Sequence, residues 1–328
     1  MLKTLACANG ISGFEESVAE IVINNIKPFC TTLEKDSIGN IYAFKKGKNP
    51  KKTVALFAHT DEVGLMVSSI TEEGFLKFRT VGGIDNGVLP GKTVIIGKNR
   101  IKGVIGSRAV HLIDESERKE KIPFDKMYID IGAESKAEAE SQVKKGDPVY
   151  FEADFVETES CIFGKAFDDR IGCAILSELI KEDFDDDIYF VFTTQEEVGT
   201  RGATVASRYV DADFYLVIEN TTCLDMPKVP QEKRSTNLGS GPALTIVDSG
   251  TVADLGIRGA LSDAGVKIQY KNVAAGGNDG FAISKNGKKV AAVSVPCRYL
   301  HTPIGVISKS DLKDTICLIR AFLKGENR

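Results

Sequence analysis

The stretch FVFTTQEEVGT, residues 190–200, decides how this chain is read. Ile188–Phe192 is rich in β-branched and aromatic residues and reads as a strand covered on both faces. It leads into two adjacent glutamates, Glu196 and Glu197. A carboxylate at the end of such a strand loses much of its water, and two side by side repel. The pair is tolerable only where positive charge sits nearby or where one glutamate is held protonated.

Outward from this stretch, strand-like and helix-like segments alternate. DRIGCAILSELIKE (169–182) reads as helix, RGATVASRYV (201–210) as helix and DFYLVIEN (213–220) as strand. ALTIVD, the helix TVADLGIRGALSDAG, KIQYKN, KVAAVSVP and a closing helix SKSDLKDTICLIRAFLKG follow in order. Upstream, EESVAEIVINNIK (15–27) carries apolar residues at helical spacing and ends before Pro28. GNIYAF and TVALFAH read as strands joined by the lysine-rich KKGKNPKK (45–52), taken as a solvated hairpin tip. Alternation of this kind predicts an α/β domain with a mixed, largely parallel sheet covered by helices.

Between residues 67 and 157 the texture changes. GFLKFRTVGG, KTVIIG, RIKGVIG, MYIDIGA and DPVYFEADFVE are short strand-like runs broken by glycines and charged turns. One helix, SKAEAESQVKKG, opens on a capping box of Ser135 with Glu138 and closes near Gly146. Strands this closely spaced predict a small β-barrel-like insert. The organisation expected is a domain of residues 1–66 plus 158–328 interrupted by a β-rich domain of residues 67–157.

Composition narrows the function classes. The 328 residues are 42% hydrophobic and 27% charged, with a net charge of −4. That balance argues against a nucleic-acid partner, which usually meets a basic face. No apolar run approaches the length of a membrane span, so no membrane partner is expected. The seven cysteines are scattered, odd in number and without a C-x-x-C pair. They fit a reducing cytoplasm and count against a cysteine zinc site.

Three histidines are present, His59, His111 and His301. His59 ends a strand in AHTDEVG, with Asp61 and Glu62 close behind, and His301 follows a strand in SVPCRYLHTP. Acids mark three further element ends: Asp168 and Asp169 in KAFDDRIG, Glu196 and Glu197, and Glu219 in VIEN. Taken singly, each has a plainer reading as a hydrogen-bonded histidine, a helix cap or a loop acid. Ligands gather at the carboxyl ends of strands in open α/β sheets, and five such ends delivering His, Asp, Glu, Glu and His form one coherent set. Imidazole with carboxylate suits zinc, cobalt or manganese, and a cation would resolve the paired glutamates. His111, in AVHLID, has no acidic partner at a strand end and reads as structural.

These motifs resemble, over essentially the whole chain, the dinuclear-metal aminopeptidases of the glutamyl, deblocking and tetrahedral type. GISGFEE, DSIGN, AHTDEVGLMV, VGG, KAFDDRIG, TTQEEVGTRGA, GGNDG and SVPCRYLHTP occur in that family's order. The resemblance implies a zinc-exopeptidase-like fold and two divalent cations per subunit. His59, Asp168 and Glu219 would hold one cation. Asp168, Glu197 and His301 would hold the other, with Asp168 bridging. Asp61 would orient the His59 ring. Many members carry Asp where this chain has Glu219. The resemblance also implies a cis bond between Asp168 and Asp169, a form rare outside proline.

The activity implied is removal of N-terminal residues from peptides by metal-activated water, with Glu196 as general base. A homo-oligomer, in the form of a tetrahedral dodecamer contacted through the β-rich insert, is implied as well. Three other readings stand beside it. Paired carboxylates also serve glycosidases, endoglucanases among them, but these need no histidine ligands and would survive a chelator. A related metal-dependent carboxypeptidase or deacylase would prefer amino-blocked substrates. A non-catalytic binding protein would have no use for Glu196.

Overall fold

A computed structural model describes residues 1–109, 111, 120–271 and 276–325. Asn272, at the end of the expected strand KIQYKN, and residues 326–328 lie outside the described residues. The chain opens with helices α1 (Leu2–Cys7) and α2 (Glu16–Ile26), then strands β1 (Thr32–Lys35), β2 (Ile41–Lys45) and β3 (Thr53–His59). Next come β4 (Gly64–Ile70), β5 (Leu76–Val81), β6 (Thr93–Ile96), β7 (Ile101–Gly106), β8 (Tyr128–Asp130), α3 (Lys136–Gln142) and β9 (Pro148–Phe151). The remainder runs β10 (Val156–Glu157), β11 (Cys161–Gly164), α4 (Phe167–Leu179), β12 (Asp187–Thr193), α5 (Arg201–Tyr209) and β13 (Phe214–Thr222). It ends with β14 (Ala243–Thr245), α6 (Leu255–Ser262), β15 (Gln269–Lys271), α7 (Gly280–Lys285), β16 (Val290–Arg298), β17 (Gly305–Ser308) and α8 (Lys309–Leu323).

The open sheet runs β1-β2-β12-β3-β13-β16-β17-β11-β10, with β14 and β15 branching from β16. Its centre, β12-β3-β13-β16, is parallel. Antiparallel strands complete both margins. Both faces of the centre are buried, as the apolar runs require. Val54, Leu56 and Ala58 face a core shared with Ile171 and Ile175 of α4, while Ala55 and Phe57 alternate onto Ala206 of α5 and Ile283 of α7. Phe190 and Phe192 are fully buried, each worth about 1.5–3 kcal/mol of transfer free energy.

Strands β4 to β9 close into a six-stranded antiparallel barrel around Leu65, Phe78, Val94, Ile105, Ile129 and Val149. Its helix α3 is capped by Ser135 Oγ, which accepts from Glu138 N at 3.3 Å, while the Glu138 carboxylate accepts from Glu134 N at 2.9 Å. His111 is exposed.

The lysine-rich segment 45–52 is not a hairpin tip. β2 and β3 flank β12 and pair with it, not with each other. The segment therefore crosses the end of β12, and Lys46, Lys48 and Lys52 meet Asp187, Asp183 and Asp213.

The chain leaves the sheet for the barrel after β3 and returns to its edge through β10 and β11. Glu62 and Lys165, 103 residues apart, form a buried ion pair at 2.7 Å. Arg170, fully buried, adds a contact to Glu62 Oε1 at 3.2 Å. Its other donors go to the carbonyls of Leu5, Ala8, Gly10 and Thr60, fixing the N-terminal segment beneath the strand ends.

Candidate metal centre

The parallel strands β3, β12, β13 and β16 bring their carboxyl ends to one rim. In the β3–β12 ladder the last partners are His59 and Thr193, so His59 and the Glu196–Glu197 segment emerge side by side. The peptide bond between Asp168 and Asp169 is cis, at the start of α4. The Asp169 carboxylate turns inward, accepting from His59 N at 3.1 Å and Gly172 N at 2.9 Å. A Cβ at Gly172 would come within 2.4 Å of that carboxylate, so only glycine fits.

Asp168 stands at the middle of the site. His59 Nε2 lies 3.2 Å from its Oδ1, and His301 Nε2 lies 3.1 Å from its Oδ2. Each imidazole thus addresses a different oxygen of one carboxylate. His301 Nδ1 donates to Gly83 O at 3.0 Å, which leaves Nε2 facing the site. Glu197 Oε1 is 3.1 Å from His301 Nε2, and Glu196 Oε2 is 3.9 Å from His59 Nε2.

Among the described residues, two groups of three hold their ligand atoms within 4.8 Å of one another: Asp168, Glu197 and His301, and His59, Glu196 and Glu197. Glu219 belongs to neither group. It lines the same cavity, with Oε1 accepting from Asn278 Nδ2 and Ser294 Oγ, both at 3.1 Å. Register explains one of these contacts, since Glu219 and Ser294 are partners across β13 and β16. Asp61 Oδ1 lies 3.3 Å from His59 Nδ1 without hydrogen-bond alignment, and its oxygens accept instead from Glu196 N, Glu197 N and Ser12 Oγ.

Sequence reading missed the groups that hold this rim. Asn278 joins Glu219 to Asp248, and Asp279 accepts from Thr193 Oγ1 at 2.5 Å. The only signal for them was GGNDG, whose Asn and Asp these are. Ser12, Glu15 and Asn40 were visible only inside GISGFEE and DSIGN, with no role attached.

The electrostatics describe a site short of positive charge. Burial pushes Glu196 well above the usual carboxylate range, helped by Asp279, Glu197 and Asp168 against His59. Burial likewise raises Glu197, and lifts Glu219 to about 8 and Asp279 to about 6. Burial works against the imidazolium of His301, yet Asp168 and Glu197 carry its pKa to about 11. His59 is raised in the same way, by Asp168 and Asp61 over the opposition of burial. Asp168 moves down, burial being outweighed by its two imidazoles.

Buried polar atoms normally find partners. Here Glu197 Oε1, His59 Nδ1 and Asp279 Oδ1 have no hydrogen bond among the described residues. Unpaired oxygens, crowded carboxylates and two convergent imidazoles fit a divalent cation, and the donor set suits zinc, cobalt or manganese. Beside the cluster opens a cavity of about 550 Å³, lined by Thr222, Leu224, Ser249, Phe281 and Leu300 among others. Lys271 is the one lysine or arginine lining it among the described residues.

Comparison with known proteins gives a consistent result. Residues 39–318 match the model of the M42 glutamyl aminopeptidase family. A relative from Escherichia coli (strain K12), named aminopeptidase FrvX, is 36% identical, with 98% of this chain and 94% of the relative covered. The crystal structure of a TET aminopeptidase from the marine sediment archaeon Thaumarchaeota archaeon SCGC AB-539-E09 superposes with a TM-score of 0.94 at 33% identity, covering 99% and 95% of the two chains. A Pyrococcus horikoshii TET1 peptidase, described as assembling into a tetrahedron or a large octahedral shell, superposes with a TM-score of 0.88 at 34% identity, covering 98% of each chain.

Proposed function

Since the chain belongs to the M42 glutamyl aminopeptidase family, and is accordingly a peptide hydrolase, we propose that it removes N-terminal residues from peptides at a two-cation centre with Glu196 as general base. The observation that carries this reading is Asp168, whose two oxygens are addressed by His59 and His301 separately. A carboxylate with one oxygen toward each imidazole supports a bridging role for Asp168.

His59, Asp168 and Glu219 would hold one cation, and Asp168, Glu197 and His301 the other. When bound, the pair would supply Lewis acidity that lowers the pKa of a water there toward neutrality. Glu196 takes the proton from the attacking water and returns it to the leaving amine. Its place beside the cluster, with its N–H held by Asp61, suits both steps. Asp61 holds the Glu196 and Glu197 N–H groups and stands against the His59 ring. Lys271 presents a cation to the cavity that would receive the first side chain of the substrate, which favours an acidic residue there.

The test uses protein stripped by EDTA and restored with zinc, cobalt or manganese. Free-amine aminoacyl p-nitroanilides should be hydrolysed, N-acetylated ones should not, and activity should vanish in EDTA. Glutamyl and aspartyl substrates should lead, and Lys271→Met should lower kcat/KM for them by about tenfold while sparing leucyl substrates, the loss of roughly one charge-assisted contact. Hydrolysis persisting in EDTA, or confined to blocked substrates, would replace this reading with one of its rivals.

The protein is further proposed to act in the cytoplasm, with its cysteines reduced, as a homo-oligomer built in part through the barrel. All seven cysteines are free, and among the described residues no helix is long and apolar enough to cross a membrane. Light scattering should report a tetrahedral dodecamer of 35.5 kDa subunits. A monomer mass would reject the assembly.

A further inference from the structure

Four consecutive backbone N–H groups lead from the end of β12 into the glutamate pair, and each is captured by a buried side-chain oxygen. Thr194 N donates to Asn40 Oδ1 at 3.1 Å and Gln195 N to Glu15 Oε1 at 3.1 Å. Glu196 N donates to Asp61 Oδ1 at 3.0 Å and Glu197 N to Asp61 Oδ2 at 3.1 Å. The β3–β12 ladder stops at Thr193, so side chains replace strand partners over these four residues.

The acceptors are themselves fixed. Glu15 Oε1 also accepts from Gly13 N at 2.8 Å, and Ser12 Oγ donates to Asp61 Oδ2 at 2.6 Å. Asn40 Nδ2 donates to Asp36 Oδ2 and to Gly202 O, at the start of α5. A Cβ at Gly202 would sit 2.4 Å from Asn40 Oδ1 and from Thr194 O, so α5 reaches the segment only through glycine. The held backbone is unusual, with Gln195 at φ +55, a region that residues with a Cβ seldom occupy. Such a conformation persists where its surroundings over-determine it.

Water would satisfy these N–H groups equally well. Side-chain oxygens with their own partners do something water does not: they fix where the two following carboxylates stand. We infer that Glu15 and Ser12 are positioning residues for Glu196 and Glu197, acting through the main chain without touching substrate. Glu15 holds the N–H just before the pair, and Ser12 fixes the carboxylate that holds the pair itself. This gives GISGFEE a part in the reaction that its distance from the strand ends conceals. The inference rests on the roles proposed above for the two glutamates.

Two readouts test it, one independent of substrate. Cobalt(II) is titrated into EDTA-stripped protein, followed by absorption. Then kcat and KM are measured with the best free-amine p-nitroanilide. Glu15→Ala should weaken the weaker cobalt site and lower kcat, each by about 10–100-fold, the usual effect of losing a group behind a ligand. KM should stay within about twofold, because no substrate contact is lost. Glu15→Gln keeps an oxygen acceptor and should behave as the native protein in both assays. Ser12→Ala should repeat the defect through Asp61, and Ser12→Thr should restore it.

Native cobalt affinity and kcat in folded Glu15→Ala, with only the melting temperature lowered, would overturn the inference. So would Glu15→Gln failing as badly as Glu15→Ala. If Glu15→Ala does not fold, the serine pair decides: native behaviour of Ser12→Ala rejects the inference, and a defect in it that Ser12→Thr repairs upholds it. Cobalt affinity is read without peptide, so failure of the native protein to hydrolyse any free-amine substrate would count against the aminopeptidase reading and not against the positioning role.

Discussion

Glu196→Gln is expected to lower kcat by about 10²–10⁴ while both cations remain bound, because the amide keeps the shape of the side chain and loses its capacity to take a proton. The carboxylate falls in the same cluster as His59 and Glu197, so metal retention is the discriminating half of the result. Glu196 Oε2 lies 3.9 Å from His59 Nε2, farther than either contact of the imidazoles with Asp168. Its main-chain N–H is fixed by Asp61, so the substituted side chain starts from the same place. Its raised proton affinity comes first from burial, which the amide shares. The check is kcat and KM for a free-amine substrate beside elemental analysis of the same preparation. Native turnover with the cations present would move the proton transfer to another group.

Asp168→Ala should be at least as damaging, on the order of 10⁴ in turnover, and by a different route. Among the described residues Asp168 is the one carboxylate within 4.0 Å of both imidazoles, with Glu197 that close to His301 alone, so its loss leaves His59 and His301 without their common partner. Elemental analysis should find fewer than two ions per chain, in contrast to the full complement of Glu196→Gln. Excess cobalt should not restore activity. Two ions per chain in Asp168→Ala would take that carboxylate out of the centre.

Much of this arrangement was legible because apolar runs announce the buried strands and their polar ends stand out against them. His59, Glu196 and His301 each follow such a run, and Asp168 opens a helix of clear period. The barrel showed itself through short strands at close spacing. What stayed hidden has physical causes. The pairing order placed β12 between β2 and β3, which no local pattern encodes, and so turned an expected hairpin tip into a crossover. α1 and α7, six residues each, are too short to display a period. Glu219 stood out in the ligand set only as the position where many members carry Asp. Its contacts with Asn278 and Ser294 depend on a loop 59 residues away and on the register of β16. Ser12, Glu15 and Asn40 serve backbone N–H groups, which carry no residue-type signature to match against.

The buried pair of Glu62 and Lys165 carries one more consequence. It ties the point where the chain leaves β3 to the end of β11, after the chain has returned to the sheet through β10, so the barrel between them is a loop anchored in the sheet on both sides. Lengthening such a loop costs only a logarithmic increment of entropy, about 0.6 kcal/mol per doubling. Evolution can therefore enlarge, trim or resurface the barrel, and with it the outer shape and company of the molecule, at small thermodynamic expense and without disturbing the rim where the histidines meet.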